Sequence, residues 1–163
     1  MPTDRPGDVR LPFDPGGKAG DARIVFIGTV ETPWATLADC PRNLRIARER
    51  GLPARLHLAP PYRPGLLGLE AVSHVLVLYW MHHARRDLIR QQPRHVDSSR
   101  GIFSLRSPNR PNPISVAVAR ILGIDADAGI VEIDAIDCLD GTPLVDLKPY
   151  YASTDSVPDA TAS

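Results

Sequence analysis

His74-Val75-Leu76-Val77-Leu78-Tyr79-Trp80-Met81 is the segment from which the rest of this chain is read. It is apolar almost throughout, rich in β-branched and aromatic residues, and short for a buried helix. It reads as a central strand covered on both faces. Other strand patterns flank it. Ile24 to Val30 is rich in β-branched residues, and Arg55-Leu56-His57-Leu58 alternates polar with apolar. Further along come Gly101 to Leu105, then the long stretch Ile114 to Ile124, where Ile114, Val116, Val118 and Arg120 share one face. In Ile130 to Ile136, Val131, Ile133 and Ala135 lie opposite Glu132 and Asp134, and Leu144 to Leu147 ends the series. Alternation of this kind places successive side chains on opposite faces of a strand.

Helical periodicity is weak. Asn43 to Arg50 predicts a short helix, and Ala84 to Gln92 predicts another, stopped by Pro93. Strands do not alternate with helices, and no glycine-rich turn follows a strand, which argues against a doubly wound nucleotide-binding fold. Short strands joined by Gly- and Pro-bearing loops predict a mainly β fold: a small antiparallel β-barrel with long loops and one or two short helices. The expected domain covers residues 23–152. A flexible lead-in, 1–22, precedes it, punctuated by Pro2, Pro6, Pro12, Pro15 and Gly16-Gly17, and a flexible tail, 153–163, follows.

Nineteen basic and nineteen acidic residues cancel, so bulk charge gives no sign of a nucleic-acid binder. The basic residues are lopsided, however: all but Lys18 and Lys148 are arginine. Codon bias accounts for such an excess, and so does a need for planar donors to phosphate or carboxylate. The stretch from His82 to Arg100 carries Arg85, Arg86, Arg90, Arg94 and Arg100 against Asp87 and Asp97, a local basic patch that the net charge hides. Cys40 and Cys138 lie far apart with no metal-ligand spacing. With no signal-peptide pattern and no apolar run of membrane-spanning length, the expectation is a cytoplasmic protein with reduced thiols and neither metal nor membrane partner.

Two segments carry chemistry. Arg106-Ser107-Pro108-Asn109-Arg110-Pro111-Asn112-Pro113 has three prolines in six positions, which fix φ and remove backbone donors, so it is a stiff loop and not a central strand. It presents two guanidinium forks and two amide edges, groups that suit a nucleotide-like ligand and equally a solvated turn. Asp137-Cys138-Leu139-Asp140-Gly141-Thr142-Pro143-Leu144-Val145-Asp146-Leu147-Lys148-Pro149-Tyr150 places three acids near a turn signal at Asp140-Gly141.

Together with Ile27-Gly28-Thr29-Val30, Leu67 to His74 and Trp80-Met81-His82-His83, these segments resemble the TrmO (YaeB-like) family, over roughly residues 24 to 151. The resemblance implies a homodimer of small β-barrels that binds S-adenosylmethionine at or near the subunit interface and methylates N6 of threonylcarbamoyladenosine at position 37 of tRNA. It assigns cofactor contacts to Arg42, Asn43 and Leu44, to His82 and His83, to Arg106, to Ala117, and to Asp134, Ala135, Ile136 and Asp137. Arg110, Asp140, Asp146 and Lys148 fall in signature segments without so clear a role. Ser115 stands where the family usually has glycine, the stretch from Glu31 to Arg55 is longer than expected, and the chain reads as a short form without the C-terminal domain of longer members.

Methyl transfer from a sulfonium depends mainly on positioning, and a weakly nucleophilic urea N–H gains from a general base. Asp137 and Asp140 are the candidates, with His82 or His83 as groups that titrate near neutrality. Arg85, Arg86, Arg90, Asn109, Arg110, Asn112 and Lys148 are the candidates for contact with the anticodon stem-loop. The alternative function is a non-catalytic dimeric module that binds S-adenosylmethionine or RNA. A metal-dependent hydrolase lacks a ligand set, since the adjacent His82 and His83 cannot face one side of a strand.

Overall fold

The computed structural model describes residues 5–18, 23–92 and 98–161; Pro93, Arg94 and Asp97 lie outside them. Six strands close a barrel in the order β2-β3-β8-β7-β4-β9. They are β2 (Gly28–Glu31), β3 (Ala54–Leu58), β4 (His74–Trp80), β7 (Ile114–Asp125), β8 (Ile130–Ile133) and β9 (Thr142–Pro149). Three others, β1 (Val9–Arg10), β5 (Leu88–Gln91) and β6 (Arg100–Gly101), form a separate small sheet in the order β1-β5-β6. The helices are α1 (Pro15–Lys18), α2 (Leu44–Arg50) and α3 (Ala152–Asp155). The mainly β, antiparallel barrel expected from the strand pattern is therefore present.

Compactness divides the chain into two units, residues 1–25 with 79–115 and residues 26–78 with 116–163. In the second unit the barrel interior is filled by alternate residues of each strand: Val30, Leu56, Val75, Val77, Val131, Ile133 and Leu144 are each fully buried. Each such side chain contributes about 1.5–3 kcal/mol relative to exposure. Strand β2 pairs antiparallel with β3 on one side and with β9 on the other, Val30 standing opposite both Leu56 and Thr142. Helix α2 forms where expected. The Asn43 side chain caps it by accepting from Ile46 N at 3.0 Å, and Gly51 ends it in the left-handed region at φ 65°.

Several local expectations change. The helix predicted over Ala84 to Gln92 is a strand at its C-terminal end: β5 pairs with β1 and β6, and Leu88 and Gln91 are buried. Weak propensity yields to tertiary pairing there. Gly101 to Leu105 is a strand only at Gly101, its remainder being a 3-10 turn, Ile102–Ser104. The first barrel strand begins at Gly28, not Ile24. In β7 the shared face of Ile114 and Val116 points outward, at 36% and 42% exposure, while Ala117 and Ala119 face the core. Alternation specifies which residues share a face, not which face is buried. The lead-in, read as irregular, contributes β1 and the single turn α1.

Gly28 sits where the β2–β3 pair is tightest. A Cβ built there would stand 1.9 Å from the His57 carbonyl oxygen, against backbone that cannot rotate away. Gly28→Ala is therefore expected to destabilise the barrel by about 3 kcal/mol, read as a lowered urea midpoint at unchanged slope.

Candidate functional site

In the barrel unit, the segment that follows β8 is held from two sides. Asp134 Oδ1 accepts from Arg120 N of β7 at 2.8 Å, and Asp134 N donates to Arg120 O at 3.0 Å. Asp134 Oδ2 lies 3.4 Å from Arg48 Nε, and the same guanidinium donates to Val118 O at 2.6 Å. On the other side the buried indole of Trp34 donates to Ile136 O at 3.1 Å, and the Thr32 hydroxyl donates to Cys138 O at 3.1 Å. Thr32 N donates to Asp140 Oδ1 at 3.0 Å. Arg50 stacks over the Trp34 ring, 5.0 Å from its centroid.

Asn43 and Leu44 at the head of α2, Ala117 on β7, and Asp134 to Asp137 thus sit on elements that hydrogen bonds join directly. Ala117, Ala135 and Ile136 are buried as whole residues, main chain included, and the Ile136 carbonyl accepts from the Trp34 indole. Arg42 and Asn43 are exposed and Asp137 is half-buried. Thr32, Trp34, Arg48 and Arg50 were not singled out from the sequence. Only the local pattern Arg48-Glu49-Arg50 on a helix whose buried side is Ala47 signals them, and their partners are distant in the chain.

Burial first, then the charge of Asp137, pushes the Cys40 thiol up to about 11, with Arg50 opposing. Burial likewise pushes Cys138 up. Both shifts favour the protonated thiol, the opposite of the lowered pKa that activates a cysteine nucleophile. Two clefts open on the same unit. One, of about 590 Å³, is lined by Tyr62, Leu66, Leu69, Val72, Asp146 and Tyr151 among others; one of about 280 Å³ lies among Glu31, Arg55 and Glu132. None of the expected cofactor residues lines either.

The other unit holds the proline-rich loop and the histidine pair. Arg110 donates to the carbonyls of Ser107, Ile102 and Leu105. Asn109 Oδ1 accepts from Arg85 N at 3.1 Å, and Ser107 Oγ donates to Gln91 Oε1 at 2.7 Å. Arg85 grips Asp87 through two bonds, which hold that carboxyl below the usual range. Arg86 donates to Pro111 O at 2.7 Å and stacks over Trp80. Arg85, Arg86, Asn109 and Arg110 therefore all have groups engaged inside this unit, whereas Arg90, Arg100, Arg106 and Asn112 are exposed. In the barrel unit, Lys148 is exposed and pairs with Asp146 at 2.9 Å. His82 and His83 lie past the end of β4, in a turn where their ring centroids are 3.8 Å apart. The rule that neighbours point to opposite faces of a strand therefore does not govern them. Among the described residues no group of three His, Cys, Asp or Glu side chains converges, and no helix is long and apolar enough to cross a membrane.

Residues 29–156 match the family model of the tRNA-methyltransferase O N-terminal domain. The chain is 38% identical over 137 residues to a probable S-adenosyl-L-methionine-binding protein of Methanothermobacter thermautotrophicus, covering 84% of this chain and 96% of that protein. It is 32% identical over 145 residues to the tRNA (adenine(37)-N6)-methyltransferase of Escherichia coli, covering 84% of this chain and 61% of the enzyme. Among solved structures, TrmO from Pseudomonas aeruginosa superposes with a TM-score of 0.68 at 32% identity, over 86% of this chain and 61% of that one. The chain thus spans about three fifths of the Escherichia coli enzyme and of the Pseudomonas aeruginosa TrmO, about a third of the mouse tRNA (adenine(37)-N6)-methyltransferase and nearly all of the archaeal binding protein.

Partial burial, and then the charge of His83, lower the His82 pKa from its ordinary value of 6.5, against a hydrogen bond with the Trp80 main chain that raises it. His82 is thus neutral at pH 7, and the part of stability that depends on its neutral form is lost as pH falls below 6.5. Replacing His83 by Ala removes the neighbouring charge, so the His82 midpoint is expected to rise toward the ordinary value in an imidazole NMR titration.

Proposed function

The chain belongs to the tRNA-methyltransferase O family, and on that premise we propose that it is an S-adenosylmethionine-dependent enzyme that methylates N6 of threonylcarbamoyladenosine at position 37 of tRNA. What carries this reading is the barrel wall that joins Asn43, Ala117 and Asp134 to Asp137 through Arg48 and Arg120. The relatives that bear the activity in their names match 84% of the chain for the bacterial enzyme and 87% for the mouse one.

The donor set fits the cofactor. Arg42 is an exposed cation for its carboxylate, and Asp137 is a half-buried carboxylate for its cationic end or ribose hydroxyls. The family reading adds His82, His83 and Arg106. When bound, S-adenosylmethionine supplies an electrophilic methyl group on sulfur. The protein's own work is to orient the acceptor and take its proton. Asp137 and Asp140 are the carboxylates proposed for the general base, Asp140 Oδ1 also accepting from Thr32 N. Arg90 and Arg100, exposed on the three-stranded sheet, meet phosphates of the anticodon stem-loop, with Arg106 and Asn112 beside them in the chain order of the signature loop. A reaction on tRNA places the protein in the cytoplasm. The outward Val116 and Leu122 of β7, 42% and 47% exposed, favour a second copy as partner, in keeping with a homodimer.

The near-complete coverage of an archaeal relative named only for binding favours one other reading, a non-catalytic S-adenosylmethionine- or RNA-binding module. Incubation with methyl-labelled S-adenosylmethionine and threonylcarbamoyl-modified tRNA separates the two: label at position 37 is expected, and tight cofactor binding without transfer would select the module. Asp137→Asn is expected to lower kcat about 100-fold and also to weaken S-adenosylmethionine in calorimetry, since the same carboxylate is proposed for both uses. Affinity for tRNA is expected to fall steeply between low and physiological salt, as phosphate contacts require.

A further inference from the structure

Helix α2 has seven residues, and only Ala47 among them is buried. A helix this short does not persist by its own hydrogen bonds, so its place depends on what ties it down. Arg48 supplies such a tie. Its Nε faces Asp134 Oδ2 at 3.4 Å and another guanidinium nitrogen donates to Val118 O at 2.6 Å, so one side chain grips both the residue after β8 and the middle of β7. Asp134 in turn has its other oxygen on Arg120 N. Both carboxylate oxygens thus face protein donors, and its charge is answered by a guanidinium. Asn43 is bound into the same helix by its side chain on Ile46 N and its carbonyl on Ala47 N. Fixing Arg48 therefore fixes the Arg42–Leu44 end as well.

We propose that Arg48 is a positioning residue: through Asp134 and the Val118 carbonyl it sets the spacing between the head of α2 and the segment after β8, the two stretches that form the cofactor wall. In this arrangement Asp134 is an anchor for Arg48 and not a ligand contact. The proposal rests on the cofactor reading above for what the wall binds, but not for the existence of the tie.

Hydrogen–deuterium exchange on the full chain without ligand, together with calorimetry using S-adenosylmethionine, tests it. The variants are Arg48→Met, Arg48→Lys, Asp134→Asn and the Arg48→Met/Asp134→Asn double variant, with Arg45→Met as control, since Arg45 lies on the same helix but among the described residues pairs with Glu49 in the exposed i,i+4 manner. The Arg48 side chain is 46% exposed. Solvent screening at such a site limits the expected effect to roughly fivefold. Arg48→Met is expected to speed exchange at 43–50 and 134–137 by that factor and to weaken S-adenosylmethionine to match. Arg48→Lys keeps the charge but not the fork, so it should fall between wild type and Arg48→Met. Asp134→Asn should resemble Arg48→Met, and the double variant should be no worse than either single one. The control should match wild type. Unchanged exchange in Arg48→Met overturns the tie, and faster exchange with unchanged cofactor affinity overturns its role in the wall. Should Arg48→Met fail to fold, the same two readouts on Arg48→Lys and Asp134→Asn decide. A wild-type protein that binds no S-adenosylmethionine defeats the cofactor reading instead, and the exchange data still decide the tie.

Discussion

The barrel closes because a four-residue strand, β2, has hydrogen-bonded neighbours on both sides, β3 and β9. Closure removes sheet edges and pairs backbone groups that an open sheet would leave to solvent or to other chains. It also fixes which side chains point inward on every strand at once. Val30, Leu56 and Leu144 meet in the interior because β2 stands between their strands in that register, and a slip of one residue would turn them to solvent. Gly28 is where this constraint is tightest, since its neighbour's carbonyl occupies the space a side chain would need. Within the barrel unit, the segment after β8 is held to this ring through Arg120 of β7.

How those segments are held explains part of the arginine excess. Prolines fix loop geometry but remove N–H donors, so loops rich in them contain carbonyls with no ladder partner. Guanidinium groups fill that gap. Arg110 serves three carbonyls near the proline-rich loop and Arg86 serves Pro111; outside such loops Arg63 serves Asp127, Arg48 serves Val118 of β7 and Arg50 serves Asp39. With several donors in a rigid plane, an arginine can close a loop onto a strand while keeping its charge near water. A reading that counts these residues only as a basic patch overlooks this use.

Legibility varied with how local the determining forces were. The barrel strands β3, β4, β7, β8 and β9 announce themselves through alternation or unbroken apolarity, and α2 through the short helical pattern from Asn43 to Arg50. Residues 84–92 misled because Leu88 and Gln91 fit a helix face as readily as a strand, and one of the two partner strands, β1, lies far away in sequence. The outward turn of Ile114 and Val116 was hidden for a similar reason: periodicity is blind to which face a closed barrel fills, and at β7 the interior takes alanine.

The sequence by itself determined the fold class, the short capped helix and the family, because alternation, turn residues and long signature segments are properties of neighbouring residues. It also marked Arg106 to Pro113 as a rigid loop, since proline restricts φ wherever it stands. Tertiary structure alone decided the use of individual polar groups. Asn109 and Arg110 bond within their own unit, Asp134 is gripped by Arg48 and Arg120, and Trp34 reaches the Ile136 carbonyl across a separation of 102 residues. A hydrogen bond depends on distances of a few tenths of an ångström between groups whose sequence spacing carries no trace of them, so only the folded chain could show which candidates face a ligand and which hold the wall together.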